Sequence, residues 1–131
     1  MSAIYLDTSA FVKFVVEEPE SGALHDFLAG ERGRYISSSL LRTESLRAAV
    51  RHGPDALGLA REGLRRVDLV AIDDRILDSA GLLHPGRLRS LDAIHVATAT
   101  AIGDDLNVIV TYDERMIEAA SLLGLPTATP I

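Results

Sequence analysis

The stretch Ala3-Ile4-Tyr5-Leu6-Asp7-Thr8-Ser9 sets the pattern for the whole chain. Its first four residues read as a brief strand that ends on an acid and two hydroxyls. Phe11, Val12, Phe14 and Val15 then keep helical spacing until Pro19. The alternation continues outward from there. A helix over 20–29 stops at Gly30, a short strand covers 34–37, and Ser38 opens a helix to 51 that His52-Gly53-Pro54 terminates. Residues 55–66 read as helix, 67–72 as strand and 73–83 as helix, bounded by the turn His84-Pro85-Gly86. A helix over 90–102, a Val/Ile strand over 107–111, a helix over 114–123 and a terminal strand at 127–129 complete the series. Strands separated by helices need crossover connections, which predicts an α/β sandwich: a mainly parallel sheet covered on both faces. With 131 residues and 47% hydrophobic side chains, one domain over 1–131 with one core is expected.

Composition removes several classes of function. The chain has no Cys, which excludes disulfide frameworks, thiolate zinc clusters and thiol nucleophiles, so a bound metal must sit on oxygen or imidazole. Aromatics make up 5%, with no Trp, which disfavours base-stacking readers of single strands. The net charge of -6 hides an asymmetry: residues 32–89 carry eleven Arg against seven acids, whereas the rest is strongly acidic. Such a chain can hold phosphates on one face and stay acidic on another; a solvated mixed-charge surface is the plain alternative. The N-terminus lacks a basic segment, and Asp7 and Lys13 break its apolar stretch, so it does not read as a secretory signal. The longest nearly uncharged stretch, 93–103, falls short of the roughly 20 residues a spanning helix needs. A cytoplasmic protein with no membrane association is expected.

Four carboxylates hold the chemical interest. Asp7 ends the first strand and Asp113 closely follows the strand over 107–111, so parallel strands bring both to the same end of the sheet, where ligands collect. Each also precedes a helix, and helix capping alone accounts for an Asp there. Asp92 shares a helix face with Val96 and Ala99, which calls for a partner or nearby solvent; its plain role is to complement the positive helix end near Ser90. Glu44 lies on a helix beside Leu40, Leu41 and Ala48, with Arg47 and Arg51 also approaching, so a surface Glu-Arg pair explains it as well. His95, three residues after Asp92, reads as a core histidine or as a donor behind the acids. Apolar positions around Phe11, Phe14 and Phe27 are candidates for partner contact or for core packing.

Asp7-Thr8-Ser9, Glu44, the run Leu91-Asp92-Ala93-Ile94-His95-Val96-Ala97-Thr98-Ala99 and Thr111-Tyr112-Asp113 together resemble the PIN-domain ribonucleases, specifically the VapC-type toxins of toxin-antitoxin modules. The match covers essentially the whole chain in order. The resemblance implies a PIN-like α/β/α sandwich, with Asp7, Glu44, Asp92 and Asp113 as an acidic quartet around a divalent metal. Thr8, Ser9 and Thr111 match the hydroxyl positions beside it. It further implies an RNA substrate, 3′-hydroxyl and 5′-phosphate products, a homodimer and a cognate antitoxin.

The chemistry is coherent with that resemblance. Carboxylates brought together repel unless protonated or neutralised, and Mg²⁺ or Mn²⁺ is the matching hard ion. Such an ion activates water and stabilises charge on a scissile phosphate. On this reading Asp7 and Asp92 are principal ligands, Asp113 an additional one, and Glu44 a ligand or positioner of the attacking water. Ser9 and Thr111 support the phosphate or the water, and some of the central arginines hold flanking phosphates. Two other carboxylate folds fit poorly. A HAD-like phosphatase needs a second Asp where Ser9 stands, and a receiver domain needs a late Lys, whereas Lys13 is the only lysine. The remaining alternative is a non-catalytic PIN-like module that binds RNA or a partner.

Overall fold

The computed structural model describes residues 2–131. β1 (Ala3–Leu6) leads into α1 (Thr8–Val15) and α2 (Ser21–Ala29), and β2 (Arg34–Ser38) into α3 (Leu40–Val50) and α4 (Pro54–Leu64). β3 (Val67–Val70) is followed by α5 (Asp74–Gly81) and α6 (Ser90–Ile102), β4 (Leu106–Val110) by α7 (Glu114–Leu122), and β5 (Thr127–Ala128) closes the sheet. The strand order is β3-β2-β1-β4-β5, and every described pairing is parallel. The expected α/β sandwich is what forms.

Strand periodicity divides the interior between the two helical layers. Ile4 and Leu6, with Val108 and Val110, pack against Phe11, Leu24, Leu41 and Ala60 of α1 to α4. Ala3 and Tyr5, with Ile109, pack against Val96 and Ala99 of α6 and Met116 and Ala119 of α7. β1 is therefore buried on both faces, which is why it carries no charged residue. From this central strand the chain runs to β2 on one side, and β4 lies on the other. The carboxyl ends of β1 and β4 thus flank the point where the winding reverses, and a crevice opens there.

Local chemistry sets the boundaries. Asp7, Asp73 and Asp113 cap α1, α5 and α7 by accepting from the backbone N–H of Ala10, Ile76 and Arg115. Capping is thus a real role of Asp7 and Asp113, and it coexists with the grouping described below. Ser38 ends β2 rather than opening a helix: its hydroxyl accepts from Leu40 N, where α3 begins. The strand expected over 67–72 stops at Val70, whose carbonyl is taken by the backbone N–H and hydroxyl of Ser39. Ser90 is the first helical residue of α6; Arg89 holds the cap position, with no side-chain cap bond. Phe11 is not available to a partner, being 2% exposed within the core. No described helix is long and apolar enough to cross a membrane.

Before β2 the chain turns through Gly33 at φ +139°, where a Cβ would lie 2.7 Å from the Ser2 carbonyl oxygen. The same carbonyl receives Arg34 N, which starts the β1–β2 pairing, so it cannot simply move away. Gly33→Ala is expected to cost about 1–3 kcal/mol in urea unfolding. A variant as stable as the parent would show that this turn relaxes freely.

Candidate active site

The loops beyond β1 and β4 are stitched together by hydroxyls. Asp7 is 2% exposed, with one carboxylate oxygen accepting from Ser9 Oγ at 2.7 Å and Ala10 N at 3.0 Å. The other oxygen accepts from Thr111 Oγ1 at 2.5 Å. Thr111 Oγ1 also accepts from Asp113 N, and Ser9 Oγ accepts from Tyr112 N. Residues 102 to 104 positions apart in sequence are thereby locked side by side.

A second group of bonds brings in α3 and α6. Glu44 Oε1 accepts from Thr8 Oγ1 at 2.7 Å and lies 2.7 Å from His95 Nε2. His95 is 2% exposed, and its Nδ1 lies 2.8 Å from the Tyr5 hydroxyl beneath the sheet end. With the Tyr5 hydroxyl donating to Nδ1, Nε2–H donates to Glu44 Oε1. Asp92, in the first turn of α6, pairs with Arg89 at 3.2 Å, and the same guanidinium reaches Asp113 at 3.6 Å.

Protonation follows these surroundings. Burial pushes the Asp7 carboxyl up despite the opposing bonds from Thr111, Ser9 and Ala10 and the influence of His95. Asp92 is raised by burial and then by the charge of Asp113, which together outweigh Arg89, a side chain 66% exposed to water. Burial also opposes charge on Glu44, yet the bonds from His95 and Thr8 leave its carboxyl below the ordinary value. Tyr5 is raised strongly, chiefly by burial, so its hydroxyl stays a neutral donor.

The four acids and the hydroxyls of Thr8, Ser9 and Thr111 therefore gather at one end of the sheet. Glu44 engages His95 and Thr8 rather than an arginine. Its partner lies 51 residues away, so helix spacing alone points to Arg47 instead. His95 is both a buried histidine and the donor behind Glu44. Arg89 was not singled out by the sequence reading; its position three residues before Asp92 was the available signal.

A family model for the PIN domain matches residues 4–122. Ribonuclease VapC46 of Mycobacterium tuberculosis (strain ATCC 25618 / H37Rv) is 48% identical over 130 residues, covering 99% of each chain. Ribonuclease VapC35 of the same strain is 42% identical over 130 residues, covering 97% of this chain and 96% of the relative. Among solved structures, the sarcin-ricin loop cleaving toxin VapC20 of M. tuberculosis superposes with a TM-score of 0.76 at 18% identity, over 97% of this chain and 99% of that one. A chain of a toxin-antitoxin complex from Klebsiella pneumoniae gives 0.73 at 20% identity, over 99% and 98%. At such identities the two structures attest the fold. By the span of the PIN match and the likeness to VapC46 along nearly its whole length, this chain belongs to the PIN-domain family and, within it, to the VapC ribonucleases.

Proposed function

We propose that the chain is a divalent-metal-dependent endoribonuclease, the toxin of a toxin-antitoxin module, with Asp7, Glu44, Asp92 and Asp113 as its acidic centre in a single domain over 1–131. The observation that carries this reading is the gathering of four acids from distant elements where the sheet winding reverses. The family membership supports it, and the toxin-antitoxin complex among the structure neighbours supports a cognate antitoxin; a homodimer is part of the proposal on the family resemblance alone.

The donor set suits a hard ion, Mg²⁺ or Mn²⁺, because it is made of oxygen. Asp7 and Asp92 are raised by burial that nothing in the protein fully offsets, and a cation would relieve both. Among the described residues no three acidic or histidine side chains are grouped so as to hold one ion as they stand. Arg89 bridges Asp92 and Asp113 instead, and a doubly charged ion would compete readily with this exposed, weakly held counter-charge. Bound there, the ion supplies Lewis-acid stabilisation of the scissile phosphate and lowers the pKa of water.

The protein's part is positioning. Asp7 and Asp92 are the principal ligands and Asp113 an additional one. The hydroxyls of Ser9 and Thr111 fix both oxygens of Asp7. Both bonds to Glu44 fall on Oε1, which leaves Oε2 to orient an attacking water. The products in keeping with the family resemblance are a 3′-hydroxyl and a 5′-phosphate.

The test is incubation of the full chain with a panel of structured RNAs. Cleavage is expected with Mg²⁺ or Mn²⁺, loss of cleavage with chelator, and recovery when the ion is restored. Binding without cutting under all conditions would replace the enzyme by a non-catalytic binding module.

A further inference from the structure

We infer that Arg47 and Arg51 form a two-residue phosphate track that seats the RNA backbone beside Glu44; this rests on the ribonuclease reading. A cleft of about 570 Å³ opens beside Glu44, and its walls include Thr8, Lys13, Glu18, Glu44, Arg47 and Arg51. The three cations differ in what already engages them. Lys13 is 6% exposed, with its Nζ 3.3 Å from Glu20, 3.6 Å from Glu18 and 4.3 Å from the centre of the Tyr112 ring. Its charge is spent inside the protein.

Arg47 and Arg51 are exposed, and among the described residues neither has an ion pair or side-chain hydrogen bond. Arg47 lies in the last turn of α3 and Arg51, four residues on, is its C-cap; they project from the same side and repel each other. Glu44, three residues before Arg47, is the natural helical partner, but it is already held by His95 and Thr8. The end of α3 engages these charges only in part, Glu18 in the same cleft is already paired with Lys13, and two adjacent arginines with no carboxylate partner there suit an anion. The guanidinium fork matches phosphate oxygens, and Ala48 between the two arginines keeps the floor low. A rise of about 6 Å over four helical residues suits successive phosphates of one strand better than a single free ion. An acidic centre repels a polyanion, and this pair supplies a compensating attraction in the cleft that borders the centre at Glu44.

The experiment measures binding of a labelled single-stranded RNA without turnover, using the wild-type chain with divalent ions chelated and the Asp7→Asn chain. Dissociation constants are taken between 50 and 200 mM salt. Each phosphate contact contributes about 0.7 to the log–log salt slope of a single strand. Arg47→Gln and Arg51→Gln should each lower the slope by about that amount and weaken binding several-fold at low salt; Arg75→Gln, lining a separate hollow on α5, should do neither. Gln is a good helix former, and unchanged circular dichroism and melting temperature establish that α3 is intact. Excess inorganic phosphate should displace RNA poorly. Unchanged slopes in both α3 variants, or equal losses in Arg75→Gln, would overturn the track. Failure of the wild-type chain to cut RNA with Mg²⁺ or Mn²⁺ would instead overturn the ribonuclease reading and leave the slopes to stand by themselves.

Discussion

Replacing Asp7 by Asn is expected to lower RNA cleavage by about 10²–10³-fold, the scale on which loss of one group stabilising reaction charge is felt, without weakening the fold. Asn keeps an oxygen for the N–H of Ala10 and is as good an N-cap as Asp. The Thr111 hydroxyl, now facing an amide, can turn from donating to accepting. What disappears is a buried negative charge. Because burial raises the Asp7 pKa in the folded state, the carboxylate subtracts stability at neutral pH: the favourable state is the protonated one, fully present below the unfolded-state pKa and lost as pH rises through the folded one. With divalent ions chelated, the Asn variant should therefore melt at or above the wild-type temperature at pH 7. The gap should close as the medium is acidified and wild-type Asp7 takes up its proton. Parallel loss of activity and stability would make Asp7 a structural acid only.

The second large effect is expected at Phe11. Its ring is enclosed by the layer of α1 to α4, with Phe14 edge-on at a centroid distance of 6.3 Å. Truncation to Ala should cost about 3–5 kcal/mol by urea denaturation, through lost burial and the cavity left behind. That is a large share of the 5–15 kcal/mol typical of a whole domain. Gly63 of α4 supplies an internal control. A Cβ there would lie 2.8 Å from the tip of the Phe11 ring, so Gly63→Ala forces the two helices apart while Phe11 is present. Once the ring is removed, the added methyl enters the vacated space and improves helix propensity. The double variant should therefore be more stable than the sum of the single effects predicts, by about 0.5–3 kcal/mol. Strict additivity would mean that the two helices do not meet through this contact.

The fold was legible because each strand and helix carries its own local pattern: the apolar quartet of β1, the Val/Ile run of β4, and Asp at three helix starts. The common end of the sheet for Asp7 and Asp113 follows from strand direction, which the helices intervening between the strands imply. Features resting on long-range contacts were harder to read. Glu44 gives no sign in its own helix that it will meet a histidine from α6. Arg89 gives none that it will bridge two acids, since one of them lies on another element. Phe11 read equally as a partner contact or a core residue because its helix is short and mixed, and its burial against Gly63 of α4 decides for the core. The arginine-rich middle was evident as composition, but which arginines stay uncompensated is decided by what the neighbouring acids have already bound.

The pairing of β1 with β4 has a consequence for biosynthesis. β1 is synthesised well before one of its two neighbours, β4, and before Thr111 and Asp113, which follow that neighbour. At about 5–20 residues per second, the chain between β1 and β4 takes several seconds to make, and through that interval Asp7 lacks the wall that Thr111 supplies. The arrangement of Asp7 and Thr111 is therefore completed only when β4 has docked on β1.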